Sequence, residues 1–332
     1  MTYAFQPGDE DVEHGVRRIA RELVAATLRE LADGGVPLPT RVHSGRKAVK
    51  KLRGLLRLVR PAFDGYRSET EALRACAALL APLREAEVRR ATFRALGPGR
   101  DAAAAAIGAR LDAALAEATA PGVLDRALAG YAEGLGALGR RARDWRIRPR
   151  GARALAGGLA RTWRDAQAAL AAVEAGWPGG SEGGGEGGMA PLPAEEVHLL
   201  RKRIKDHWYQ ARLMRPVWPE RLDAEIAAFD RLGEALGQHQ DLCDLIAHLG
   251  AGGTPLPAAL AAKARDRAAG ILAASLPEAR RLLAGSPDDL VRRWQAWWHI
   301  WREETARAGG TVIRLPAATR SGPPSAPRRK AR

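Results

Sequence analysis

Apolar residues recur at three- and four-residue intervals along most of the chain, the rhythm of amphipathic helices. Val12, Val16, Ile19, Leu23, Ala26 and Leu31 predict a first helix over about 9–31, stopped by Asp33-Gly34-Gly35. Val36 to Pro39 reads as an extended connector, Thr40 as the N-cap of a basic helix, and Arg60-Pro61 as its end. Ser68 with Glu71 forms a capping-box signature for a helix that Pro82 interrupts. Gly97-Pro98-Gly99 is a break, and Asp101 caps an Ala-rich helix ended by Pro121-Gly122. Two more helices span about 123–145 and 150–174. The second half predicts helices from Pro193 to Arg215, from Leu222 to Gly237, and after a Gln238–Asp241 turn. Shorter ones follow over 258–273 and 277–283, and a last one opens with Ser286-Pro287-Asp288-Asp289. That last helix carries Trp294, Trp297, Trp298 and Trp301 at helical spacing, which reads first as packing and otherwise as a stacking or partner surface.

The fold class is therefore all-α. Glycine density over 176–193 predicts a disordered linker between a first helical half, 9–175, and a second, 194–307. A surface insertion in one compact domain and a true domain boundary are equally open. Residues 1–8 read as an N-terminal extension and 308–332 as a disordered basic tail.

Composition narrows the function. The 332 residues carry a formal charge of +15 and a pI near 10.8, which predicts attraction to a polyanion: nucleic acid, anionic membrane or polyphosphate. Cys76 and Cys243 stand far apart without metal-ligand spacing and read as small buried hydrophobes. No apolar run approaches a membrane span, and the expected location is cytoplasmic.

The charge is patterned. His43, Arg46, Lys50, Arg53 and Arg57 share one face of the first basic helix, with Lys47 and Lys51 beside them, while Val49, Leu52, Leu56 and Val59 lie opposite. His198, Arg201, Lys202, Lys205 and Arg212 repeat the plan, opposite Val197, Leu200, Ile204 and Met214. Both helices open with Val-His and place arginine three, lysine seven and arginine fourteen residues after the histidine. Each half later has a Leu-rich stretch running into an acidic turn, at Leu79–Val88 and Leu232–Leu245.

These paired motifs resemble the CHAD (conserved histidine α-helical domain) family. Val42-His43, Arg46, Lys50, Lys51, Leu52 and Arg53 match its first helix; His198, Arg201, Lys205 and Tyr209 match its second; Leu236 to Asp241 is similar to its L-G-x-x-x-D turn. The resemblance spans about 9–307. It implies two helical bundles related by a pseudo-two-fold axis, with the two basic helices lining a central groove for inorganic polyphosphate. Trp208 departs from the pattern where arginine is usual, and Glu85 and Glu87 stand where aspartate is commoner. No phosphate-hydrolysing domain precedes the module, so no attached catalyst is expected.

The residue chemistry agrees with that implication. Rows of fixed cations suit a ligand that repeats one anion per unit; arginine forks across phosphate oxygens and lysine acts as a point charge. The expected contacts are His43, Arg46, Lys47, Lys50, Lys51, Arg53, Arg57, His198, Arg201, Lys202, Lys205, Tyr209 and Arg212, with Arg84, Glu85 and Asp241 orienting them. Asp241 reads equally as a helix-start residue. His207, His248 and His299 are assigned to packing. Cations around His43 and His198 argue against a metal, and no P-loop, nucleophile elbow or HExxH points to catalysis. The expectation is a non-enzymatic polyphosphate binder targeted to polyphosphate granules, without cofactor or membrane partner. The alternatives are a nucleic-acid or nucleoid-associated protein that uses the basic tail, and a phosphate-processing enzyme.

Overall fold

The computed structural model describes residues 3–99, 101–177 and 192–308. Eleven α-helices and two 3-10 turns account for its regular structure, and no β-strand occurs among the described residues. In order they are α1 (Val12–Ala32), α2 (Leu38–Leu58), α3 (Tyr66–Leu79), α4 (Ala81–Ala95), α5 (Ala102–Ala118), α6 (Pro121–Arg141), α7 (Arg153–Gly176), α8 (Ala194–Met214), α9 (Pro219–Ala251), α10 (Ala258–Leu282) and α11 (Pro287–Ala308).

Several ends follow local chemistry. Asp11 accepts from the His14 N–H at 2.8 Å and Asp101 from the Ala104 N–H at 2.7 Å, each satisfying a first-turn donor. Ser286 accepts from the Asp289 N–H at 3.1 Å and donates its hydroxyl to the Asp289 carboxylate at 2.8 Å. Other ends differ from expectation. Leu38 and Pro39 belong to α2, because proline needs no donor in a first turn, and Thr40 is not its cap. Ser68 lies inside α3, where its hydroxyl donates to the Gly65 carbonyl at 3.0 Å; Glu71 pairs with Arg67, so no capping box forms.

The segment Leu236–Asp241 is not a turn: it continues through α9, an unbroken rod of 33 residues. The two helices expected over 258–283 are one, with Pro277 inside it. Burial of Leu276 and Ala279 on either side of Pro277 opposes the loss of one backbone hydrogen bond.

Two shared cores bind the halves together. The larger gathers α1, α2, α3 and α6 with α7, α8, α11 and the first part of α9. The smaller joins Phe93, Leu96, Ile107 and Leu111 of the first half to Leu242, Leu245, Leu249 and Ala264 of the second. Gly176 ends α7 and Trp177 is buried, so both belong to the folded body; the remainder of the glycine-rich stretch, 178–191, lies outside the described residues, as does the tail after Ala308. Residues 3–5 are core rather than extension. The Phe5 N–H donates to the Leu213 carbonyl at 3.0 Å, and its ring, fully buried, meets Trp298 edge-on at 5.1 Å.

Trp294, Trp298 and Trp301 are buried, while Trp297 is half-buried against the exposed Trp218. His207 is fully buried, with Nε2 2.7 Å from a Glu225 oxygen and Trp163, Phe229 and Trp294 around the ring. His248 is half-buried, but His299 is exposed and packs in no core: its position on α11 faces away from the Trp294–Trp298–Trp301 stripe. Cys76 is buried and Cys243 half-buried, both as free thiols.

Candidate polyanion site

The apolar faces of α2 and α8 enter the larger core, and part of each opposite face opens on one cleft: the first turns of the stripe on α2, but of the cations on α8 only Lys205. The helices touch where Gly54 meets Tyr209: a Cβ on Gly54 would stand 2.6 Å from the Tyr209 Cβ. Only glycine permits that approach. It sets Lys205 of α8 beside the cations at the start of α2.

His43, Arg46, Lys47 and Lys50 of α2 line a cleft of about 260 Å³ together with Arg84 of α4 and Lys205, Trp208 and Tyr209 of α8. Its volume lies below the ~300–1,000 Å³ usual for pockets that enclose compact organic ligands. Glu87 of α4 and Asp230 and Glu234 of α9 line it as well. Lys205 donates to Asp230 at 2.8 Å and to Glu234 at 2.9 Å. Among the described residues, Arg46, Lys47, Lys50 and Arg84 form no ion pair.

Crowding of like charges shows in their acidities. The Lys50 ammonium is pulled down to about 8 by burial of its surroundings and then by Arg46, Arg201, Arg84 and Lys205, although the side chain keeps open solvent access. Arg46 is lowered to about 10 by burial and Arg84, against the pull of Glu87 and Glu85. Lys51 falls to about 8 through burial, Arg212 and Lys47. His198, half-buried with Nδ1 lacking a partner, is lowered by burial and Lys202.

α9 shapes the second wall. A Cβ on Gly233 would lie 2.4 Å from Lys205 Cδ, and one on Gly237 would lie 2.9 Å from Arg201 Nε. Both glycines therefore make room for basic side chains. Arg201 Nε donates to the Gly233 carbonyl at 3.3 Å. Asp241 sits in the field of Arg84 and Arg201, yet burial raises its pKa above the usual carboxylate range.

The remaining expected residues divide. Arg57 does not line this cleft: it pairs with Asp206, which is buried and also accepts from Arg203 at 3.2 Å. Arg53 and Lys202 lie close to that cluster. Glu85 makes no ion pair with a basic residue of the cleft and acts on Arg46 only through its field; it is exposed and pairs with Arg89 one turn along α4. Trp208, expected to remove a cation from the second stripe, lines the cleft and carries Lys205 at 4.1 Å and Arg212 at 4.6 Å from its ring centre. Asp206, Asp230 and Glu234 escaped sequence reasoning; the i, i+4 spacing of Asp230 and Glu234 was the one available signal.

Two other concavities are basic. Arg57, Arg60, Arg74, Arg161 and Arg203 line a pocket of about 150 Å³ at the C-terminal end of α2, with Asp165 among them. Another, of about 640 Å³ between α1 and α6, contains none of the stripe residues, and its Arg18 is held by the buried Asp9. Among the described residues no three His, Cys, Asp or Glu side chains gather as a metal site, and no helix is long and apolar enough to cross a membrane.

A family model described as CHAD domain matches residues 14–250. The chain is also similar to a solved structure, PptA from Streptomyces chartreusis, at 17% identity and a TM-score of 0.49, over 88% of this chain and 98% of that one. Comparison with curated proteins finds no match.

Proposed function

The chain belongs to the CHAD domain family, known to bind polyphosphate in general, and from that premise we propose that it binds inorganic polyphosphate in the cleft between α2 and α8 without transforming it. The observation that carries this reading is the convergence of Arg46, Lys47, Lys50 and Arg84 on one cleft, with no carboxylate among the described residues paired to any of them. Their mutual repulsion is relieved by a ligand that supplies several closely spaced negative charges. On this reading a flexible phosphate chain enters the cleft and a rigid duplex meets only its rim. Many weak contacts on one chain add through effective concentration, and affinity falls as salt rises because counterions are released.

The test is titration of the full chain with long-chain polyphosphate and with duplex DNA over a range of salt. Binding of polyphosphate at physiological salt, retained when residues after Gly309 are deleted, supports the cleft. Tight DNA binding that vanishes with those residues, without polyphosphate binding, identifies a nucleic-acid protein instead. Release of free phosphate during incubation would identify an enzyme. Association with polyphosphate granules is the corresponding cellular expectation.

A further inference from the structure

The offset of 155 residues that maps Arg46 onto Arg201 and Lys50 onto Lys205 also maps Arg57 onto Arg212 and Lys51 onto Asp206. Two pairs of residues, Arg57 with Asp206 and Arg212 with Lys51, are therefore counterparts in the repeat. They have opposite chemistry. The first is an ion pair, closed by the protein's own buried carboxylate. The second brings two cations together.

What holds the second pair is aromatic. Lys51 Nζ lies 5.4 Å from the Tyr3 ring centre and the Arg212 guanidinium carbon 5.9 Å from the same centre. Arg212 also lies over Trp208, whose ring carries Lys205 as well. The array runs Lys205, Trp208, Arg212, Tyr3, Lys51, with cation and ring in alternation. Tyr3 is fixed by donating its hydroxyl to the Lys51 carbonyl at 2.7 Å and by an edge contact to Tyr209. The charged groups that act on Lys51 are Arg212 and Lys47, both cations, and neither Lys51 nor Arg212 forms an ion pair among the described residues. Ring faces attract cations but leave their charge uncompensated. Trp208 belongs both to the cleft and to this array.

We propose that Lys51 and Arg212, seated on Tyr3 and Trp208, form an anion subsite that extends the α2–α8 cleft past Trp208 and takes a phosphoryl group of the bound chain. The subsite rests on the polyphosphate reading. Trp208 then acts, in place of an arginine, as a positioning residue that aims Lys205 and Arg212. Ligand length also becomes a variable, since a short oligophosphate that fills the cleft leaves Lys51 and Arg212 empty while a long chain reaches them.

The experiment compares wild type with the Lys51→Gln/Arg212→Gln double variant, using calorimetric titration with tripolyphosphate and with long-chain polyphosphate. The expected result is a loss of about tenfold in long-chain affinity, a fall of ~1.4 in the slope of log affinity against log salt for the two missing cations, and a tripolyphosphate affinity unchanged within about twofold. Lys51→Arg in the otherwise unaltered chain should keep the wild-type long-chain affinity if charge rather than packing is responsible. Equal weakening toward both ligands, or toward neither, overturns the subsite. Failure of wild type to bind long chains overturns the functional reading instead. The subsite is then read alone, from the side-chain nitrogen resonance of Lys51, identified by its loss in Lys51→Gln: a shift on adding pyrophosphate upholds it, and no shift overturns it.

Discussion

Gly54 and Tyr209 mark the point where the two basic helices cross, with space between them for a hydrogen atom and not for a methyl group. The close approach of α2 to α8 depends on that contact. Gly54→Ala gains about 1 kcal/mol of helix propensity, but the added carbon meets the Tyr209 Cβ and Cγ, atoms tied to the backbone that cannot swing aside. Overpacking of this kind costs roughly 1–3 kcal/mol. The variant should lose about 1 kcal/mol in urea unfolding and bind polyphosphate more weakly.

Reversing one cation in each stripe tests the face itself. Arg46→Glu with Arg201→Glu should weaken polyphosphate binding by more than ~100-fold, since charge-assisted hydrogen bonds contribute about 1.5–3 kcal/mol each. Circular dichroism should show unchanged helicity. Retained affinity would place the ligand elsewhere.

Lys50 and Lys51 make opposite demands on pH. Each is lowered to about 8 from its ordinary 10.5, by burial and by neighbouring cations. Between those values the unfolded chain holds more protons than the folded one, so stability without ligand rises as pH climbs from about 8 toward 10.5. Polyphosphate affinity moves the other way, because the two cations it needs discharge through pH 8. Binding near pH 8 should take up protons, seen as a dependence of calorimetric enthalpy on the buffer's ionisation enthalpy. Parallel trends of stability and affinity would contradict this assignment.

Gly237→Ala separates positioning from folding. The new methyl displaces the end of Arg201, a flexible side chain, rather than backbone. Thermal stability should change little while polyphosphate affinity drops roughly fivefold, the equivalent of about 1 kcal/mol for one misaligned contact.

Phe5→Ala should cost about 3–5 kcal/mol, the usual range for emptying a buried aromatic site, measured by denaturant unfolding. A true extension would tolerate the change.

These cases show which parts of the molecule could be read from residue order. The stripes of α2 and α8 were legible because both faces of an amphipathic helix are written at one spacing. The close fit of Gly233 and Gly237 to Lys205 and Arg201 was not: a glycine that makes room for a neighbour has the same letter as one that ends a helix, and Leu236–Asp241 was expected to turn for that reason. Pro277 misled in the same way, because tertiary burial outweighed local preference. Tyr3 and Phe5 stand in a polar stretch too short to show a period. The partner of Arg57 lay 149 residues away, beyond the reach of helical spacing.

Lys205 already holds two carboxylates, Asp230 and Glu234, at hydrogen-bonding distance inside the cleft. An incoming anion must displace them or settle for the cations they leave uncovered. A single orthophosphate exchanges one set of contacts for a similar set and gains little. A chain that engages several cations at once gains from each while meeting that competition at Lys205 alone. Under the proposed function, the acidic residues on the wall act as a threshold that favours polymeric anions over abundant small ones.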